Sequence, residues 1–312
     1  MTQNELSHED GPLRIGTRGS RLALVQANMV ADLLRGVGAG SEIVVLKTTG
    51  DRIQDRPLAD AGGKGLFVKE LEDALLNDTI DLAVHSMKDV PVDLPPGLDI
   101  AAVLKREDPR DVFVSNKAKT LAELPQGAVL GTSSVRREAQ VRRARPDLKC
   151  VLLRGNVDTR IRKLDDGEMD AMLLAFAGLK RLGLENRATQ MLDGFLPALS
   201  QGAIGIEVRE TDGRVRKIVT QLNDRDTELA LDCERAFQKA LGGSCRSPMA
   251  GLATMSSGRL LFRGEVLAPD GSAFVQTEAE LTLTKNPREE SAKAGREAGL
   301  DIRPRAEPWL DL

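Results

Sequence analysis

The chain has 312 residues with 44 Lys and Arg against 47 Asp and Glu, and its net charge of −3 lacks the basic excess that a phosphate backbone demands of a partner. Apolar residues make up 41% and charged residues 29%, enough for a core spread over two or three domains and too apolar for a disordered chain. Seven Phe, one Trp and no Tyr leave few platforms for stacking bases, and Cys150, Cys233 and Cys245 have neither disulfide nor zinc spacing.

The polar leader MTQNELSHEDGP lacks the basic and apolar regions of an export signal, and no apolar run approaches the roughly 20 residues that cross a bilayer. No membrane and no nucleic acid are expected as partners, and a reducing cytoplasm is the expected setting. His85 is the only histidine beyond the leader, so histidine metal sites and Ser-His-Asp triads are disfavoured and no metal is expected.

In chain order, the pattern predicts a strand at 13–16, a turn at 17–20, a helix at 22–34 and a strand at 43–47, a βαβ unit. The segment 51–65, rich in Gly, Asp and Arg without apolar period, reads as a mobile loop. GGKGLFVKELEDALL (62–76) lacks the spacing of a phosphate loop and becomes an amphipathic helix, with Lys64 at its mouth. From 129 the pattern recurs: a short strand, the turn GTSS (131–134), a helix to about 145 and a strand at 150–155. Asp81 and Asp170 each lead into an apolar strand. Thr17 and Thr132 are 115 residues apart, Asp81 and Asp170 only 89, so the second copy is 26 residues shorter and the first carries the 51–65 insert.

Two such lobes face each other across a cleft, with 101–104 and IGIEVR (204–209) as the expected hinge strands. A helix at 227–241, a Gly-rich loop, strands within 258–267 and 272–281, and a final helix capped by Asn286 with Pro287 at its first position make a small third domain. The expected boundaries are 1–104 with 204–222 for the first domain, 105–203 for the second and 226–312 for the third.

Both lobes set hydroxyls and arginines at a helix start: Thr17, Arg18 and Ser20 in one, Thr132, Ser133, Ser134, Arg136 and Arg137 in the other. Capped helix N-termini attract anions, and Arg adds a fork that fits a carboxylate. Arg154 at a strand end and Arg160 beyond it bring the count to five arginines around one space, which suits a ligand with several carboxylates or phosphates. Simple capped helices with solvated arginines are the plainer alternative. Arg142, Arg143 and Arg145, further along the same helix, read as a solvated face. In HSMKDVP (85–91), Lys88 and Asp89 follow a strand's carboxyl end. Asp89 is either a turn former or an ionised acid that steadies a cationic intermediate. Cys245 lies in a loop without a neighbouring His, a better tether than a turnover nucleophile.

IGTRGSRLALVQA, LKTTGD, GGKGLFVKELE, DLAVHSMKDVP, GTSSVRR, RGNVDTR, QGAIGIEVR and LGGSCRSP, in this order, resemble the porphobilinogen deaminases over nearly the whole chain. The resemblance implies an α/β fold class: two similar periplasmic-binding-protein-like lobes with a hinge, plus a small C-terminal α+β domain. It implies a monomeric transferase that joins porphobilinogen units head to tail, with loss of ammonia, into hydroxymethylbilane on a dipyrromethane cofactor in thioether linkage to Cys245. By the same resemblance Asp89 is catalytic and steadies the azafulvenium cation. Lys88, Asp89, Thr132, Ser134, Arg136 and Arg137 hold the cofactor, while Arg18, Ser20, Arg154, Arg160, Gln201, Lys64 and Phe67 contact substrate. The chain departs from commoner spellings of the family at Arg21, Asp60 and Asp158 and in the GGSC loop. A non-catalytic two-lobed binder of a small polycarboxylate explains the arginines equally well, but gives Cys245 and the third domain no purpose.

Overall fold

A computed structural model describes residues 11–48, 68–242 and 247–310. β1 (Leu13–Arg18), α1 (Arg21–Gly36) and β2 (Ser41–Leu46) form the expected βαβ unit, with β1 and β2 parallel. α1 starts where it does because Ser20 Oγ accepts from the Ala23 amide at 3.3 Å. Its Ala27, Val30, Ala31 and Leu34, at helical spacing, bury against one face of the sheet. α2 (Lys69–Leu76) seals the other face with Leu71 and Leu75 and precedes β3 (Leu82–Ser86), after which β4 (Leu98–Val103) leads out of the lobe.

Lobe two comprises β5 (Asp111–Ser115), β6 (Val129–Thr132), α3 (Val135–Ala144), β7 (Lys149–Leu152), α4 (Val157–Asp165), β8 (Ala171–Ala175), α5 (Phe176–Arg181) and β9 (Gln190–Met191). β10 (Ile204–Arg209) then returns to lobe one. The sheets run β2-β1-β3-β10-β4 and β7-β6-β8-β5-β9, the same order of equivalent strands. In each, the fourth strand is antiparallel to the third and is the first strand laid down after the chain has crossed from the other lobe.

The repeat extends to single bonds. Asp81 Oδ2 accepts from the Arg14 amide at 2.7 Å, and Asp170 Oδ2 accepts from the Val129 amide at 2.7 Å, each near the start of the neighbouring parallel strand, β1 or β6. Gly16 and Gly131 occupy the next equivalent place, where a Cβ would run into Ile80 in one lobe and Met169 in the other. The insert 51–65, by which the first copy was expected to exceed the second, lies outside the described residues.

The chain leaves lobe one after β4 and re-enters it at β10, the two segments expected to cross. β10 is hydrogen-bonded on both sides and buried from Ile204 to Val208, so it is part of the core of lobe one. The crossing segments pair at its first residue and just before it: the Leu104 amide donates to Ile204 O at 2.9 Å and the Glu107 amide to Gly202 O at 3.2 Å.

After α6 (Gly213–Val219), α7 (Arg225–Leu241) opens the third domain, packed on a three-stranded antiparallel sheet of β11 (Met249–Ser256), β12 (Arg259–Leu267) and β13 (Phe274–Thr282). β11 was not foreseen. α8 (Pro287–Ala306) closes that core against α7. Asn286 stands at its cap position but its side chain does not cap; Glu290 instead reaches back to the Thr284 amide at 2.6 Å.

Candidate active site

On the lobe-one wall, β3 ends in a short 3-10 turn, Met87–Asp89, that sets Lys88 and Asp89 beyond the carboxyl end of the sheet. Arg18 ends β1 and Ser20 caps α1 at that same edge. This is where open α/β sheets bind ligands. Asp89 and Lys88 are solvent-accessible. Desolvation and the nearby Arg137 guanidinium hold the Lys88 ammonium down to about 8, against the pull of Asp89 and Asp111. Its Nζ donates to Gln201 Oε1 at 3.4 Å. His85, just before the turn, is buried and pairs with buried Glu207 of β10 at 2.9 Å, a structural role.

On the lobe-two wall, Ser134 Oγ accepts from the Arg137 amide at 3.4 Å and starts α3, while Thr132 Oγ1 is buried and accepts from the Ser134 amide at 3.1 Å. Asn156 caps α4 through the Thr159 amide at 2.9 Å. Arg160 on α4 donates to Gly155 O at 2.8 Å and Ser133 Oγ at 3.2 Å, so its guanidinium is fixed before any ligand binds. Burial, then Arg137 and Arg154, lower Arg160 to about 10, and Asp89 opposes them. Burial also lowers Arg154, which follows β7.

Lys88, Asp89, Arg137, Arg154, Arg160 and Gln201 therefore converge from both lobes. Their positive charges crowd one another in a partly dry space, a donor set suited to a ligand carrying several carboxylates. The dipyrromethane expected from the resemblance, with acid side chains on each ring, fits this cradle.

Arg136 and Arg137 are less available than the sequence suggested. Asp111, fully buried at the start of β5, accepts from Arg136 Nη1 at 2.6 Å, from Arg137 Nε and Nη2 at 3.1 and 2.7 Å, and from Gln201 Nε2 at 2.9 Å. Burial pushes its carboxyl up, but the two guanidiniums more than offset that and hold it well below the usual carboxylate range. Arg136 turns inward, toward Gln140 and Leu196 O, while Arg137 keeps the cleft in electrostatic range. Sequence reasoning missed Asp111. The signal was the same acid-before-strand pattern as Asp81 and Asp170, together with the need of two buried arginines for a counter-ion.

The solvated face expected at Arg142, Arg143 and Arg145 holds only for Arg142. Arg143 donates to Glu265 at 3.0 Å and stacks on Phe274, docking α3 on the third domain, and Arg145 is tied to Asp147 and three carbonyls of 121–124. Two of the family departures meet: Arg21 Nη1 donates to Asp158 Oδ1 at 2.9 Å, a bridge from the α1 terminus to the α4 terminus across the mouth of the cleft. Lys64, Phe67, Asp60 and Cys245 lie outside the described residues.

A family model described as the dipyrromethane cofactor binding domain of porphobilinogen deaminase matches residues 13–217, and one described as the C-terminal domain of porphobilinogen deaminase matches 229–303. A curated porphobilinogen deaminase from Nitrobacter hamburgensis is 51% identical over 298 residues, 94% of this chain and 93% of its own. Another from Syntrophobacter fumaroxidans is 49% identical over 297 residues, 94% of each chain. Among solved structures, a putative methionine-binding lipoprotein from Bacillus subtilis is 14% identical and covers 70% of this chain and 92% of its own at a TM-score of 0.43.

Proposed function

The chain belongs to the porphobilinogen deaminase family, and on that premise we propose how its residues divide the work of joining porphobilinogen units into hydroxymethylbilane. The enzyme is a transferase that releases ammonia at each condensation and works on a dipyrromethane cofactor. When bound, that cofactor supplies the pyrrole terminus to which new units are joined.

Asp89 is the catalytic group. Its carboxylate stands in the turn that follows β3, within electrostatic range of Lys88 and Arg160. There it accepts from the pyrrole N–H and faces the positive charge that develops on the substrate as ammonia leaves. The convergence of Asp89 with cations from both lobes is the observation that carries this reading. Lys88, Arg137, Ser134, Thr132 and Arg136 form the wall that holds the cofactor's acid side chains, Thr132 and Arg136 by supporting Ser134 and Asp111 rather than by reaching the ligand. Arg18, Ser20, Arg154, Arg160 and Gln201 orient the acetate and propionate of incoming substrate, and Lys64 and Phe67 complete the path. Cys245 tethers the cofactor by a thioether. The domains divide as 1–104 with 204–222, 105–203 and 226–312.

The protein works as a cytoplasmic monomer on a small molecule, without nucleic acid. The acidic balance and aromatic poverty of the chain support the part of this that excludes nucleic acid, and no helix among the described residues is long and apolar enough to cross a membrane.

Intact mass tests the tether: the chain should exceed its sequence mass by one dipyrromethane, and Cys245→Ser should remove the excess. Asp89→Asn should keep the added mass and lose most turnover. Normal product formation by that variant would take Asp89 out of the chemistry.

A further inference from the structure

Helix α7 touches the catalytic turn along one stripe. Leu231 is buried in a cluster with Met87 and Val90, the residues that flank Lys88 and Asp89. One turn on, Arg235 spends its guanidinium on the backbone just past Asp89: Nη1 donates to Val90 O at 3.2 Å, and Nη2 to Pro91 O at 2.5 Å and Val92 O at 3.2 Å. Another turn on, Lys239 Nζ meets Asp93 Oδ1 at 2.6 Å. Positions 231, 235 and 239 are spaced by four, so they lie on one face of the helix.

The three contacts differ in weight. The Lys239–Asp93 pair is exposed on both sides and contributes little. Leu231 gives burial without direction. Of the three, Arg235 alone bonds the backbone, with three bonds to consecutive carbonyls outside any strand, and a planar fork holds such a set as a flexible ammonium does not. The 90–92 segment is Val-Pro-Val with a proline at its centre, so it is stiff and passes its position back to Asp89 two residues before that proline.

The same helix ends at Leu241 with Gly242 in the left-handed conformation as its cap, and the chain then enters the 243–246 segment that contains Cys245. One helix thus grips the aspartate's turn and leads directly to the segment that contains Cys245. We infer that Arg235 is a positioning residue that fixes Asp89 against the third domain, so that the carboxylate keeps one place relative to the cofactor-bearing segment. This rests on the reading of Asp89 as the catalytic group.

The test uses the holoenzyme with Arg235→Met and Arg235→Lys, alone and combined with Asp89→Asn. Intact mass first establishes that each variant carries the cofactor. A reacting group displaced by about 1 Å can cost about 100-fold in rate, so Arg235→Met should lower kcat roughly 10- to 100-fold and change KM less than about threefold. Arg235→Lys, which reaches fewer carbonyls, should fall between Met and wild type. In the Asp89→Asn background Arg235→Met should cost less than about twofold more, because the residue acts through the aspartate. A kcat within twofold of wild type in Arg235→Met, whatever its thermal stability, overturns the proposal. So do losses that multiply in full in the double variant, or a loss confined to KM. If Arg235→Met does not fold, Arg235→Lys carries the same comparison. Full activity of Asp89→Asn alone would instead refute the reading of Asp89, a result separate from any of these.

Discussion

Asp111→Asn is the substitution that most directly probes how lobe two carries its arginines. The carboxylate is fully buried and accepts from two guanidiniums and from Gln201. With asparagine, one oxygen becomes an amide donor that faces an arginine donor, and two buried cations lose their only buried anion among those bonds. Removing one partner of a buried, hydrogen-bonded pair costs about 3–5 kcal/mol, a factor of about 10² to 10⁴ in the folding equilibrium of the lobe. For a unit of about this size the lobe-two transition should fall by roughly 12–40 °C. The pH dependence follows from the depressed pKa. A carboxyl lower in the folded state than in the unfolded chain stabilises the fold above its unfolded pKa and loses that contribution as pH falls through its folded one. The gap between wild type and variant should therefore stay constant between pH 5 and 8 and narrow only below about pH 4. Differential scanning calorimetry at pH 5, 6.5 and 8 measures it. A transition within about 2 °C of wild type at neutral pH would refute the argument, and would mean that water or backbone groups satisfy both guanidiniums.

Glu72 gives the opposite sign. Burial, with Glu207 nearby and His85 opposing, raises its carboxyl to about 7 from 4.5, so folding takes up a proton between those values and stability declines as pH rises through that window. Glu72→Gln should raise the melting temperature by several degrees at pH 8 and have little effect at pH 4.5; equal effects at both would reject the shift. Lys88, held down to about 8, should be acylated at pH 8 at least fivefold faster than exposed Lys293 in the Cys245→Ser protein. The cofactor's carboxylates should raise its pKa and slow that labelling at least fivefold in the holoenzyme. Peptide mapping after brief labelling reads both rates, and equal rates for the two lysines in the cofactor-free protein would contradict the crowding of positive charge in the cleft.

Much of the architecture was legible because the two lobes repeat a local rule. A strand ends in a small hydroxyl-rich turn that caps a helix, and an aspartate precedes the next buried strand; Ser20 with Ser134, and Asp81 with Asp170, carry that rule in both lobes. β11 escaped notice because MAGLATMS is built of small and flexible residues that show neither alternation nor β-branched enrichment. Asp111 and the docking roles of Arg143 and Arg145 depend on partners 20 or more residues away, which no local pattern encodes. The pairing of Arg21 with Asp158 was hidden for the same reason, although each stood out singly as a departure from the family.

The return of β10 to lobe one also dictates an order of assembly. β10 lies between β3 and β4 and is bonded to both, yet 100 residues separate Val103 from Ile204. At about 5–20 residues per second on a ribosome, that interval lasts roughly 5–20 s. During it the nascent first lobe has a gap in the middle of its sheet, with two strand edges open. All five strands of lobe two emerge in the single stretch 111–191. The lobe that starts second is thus the first to have every strand it needs, and the lobe that starts first is completed around it.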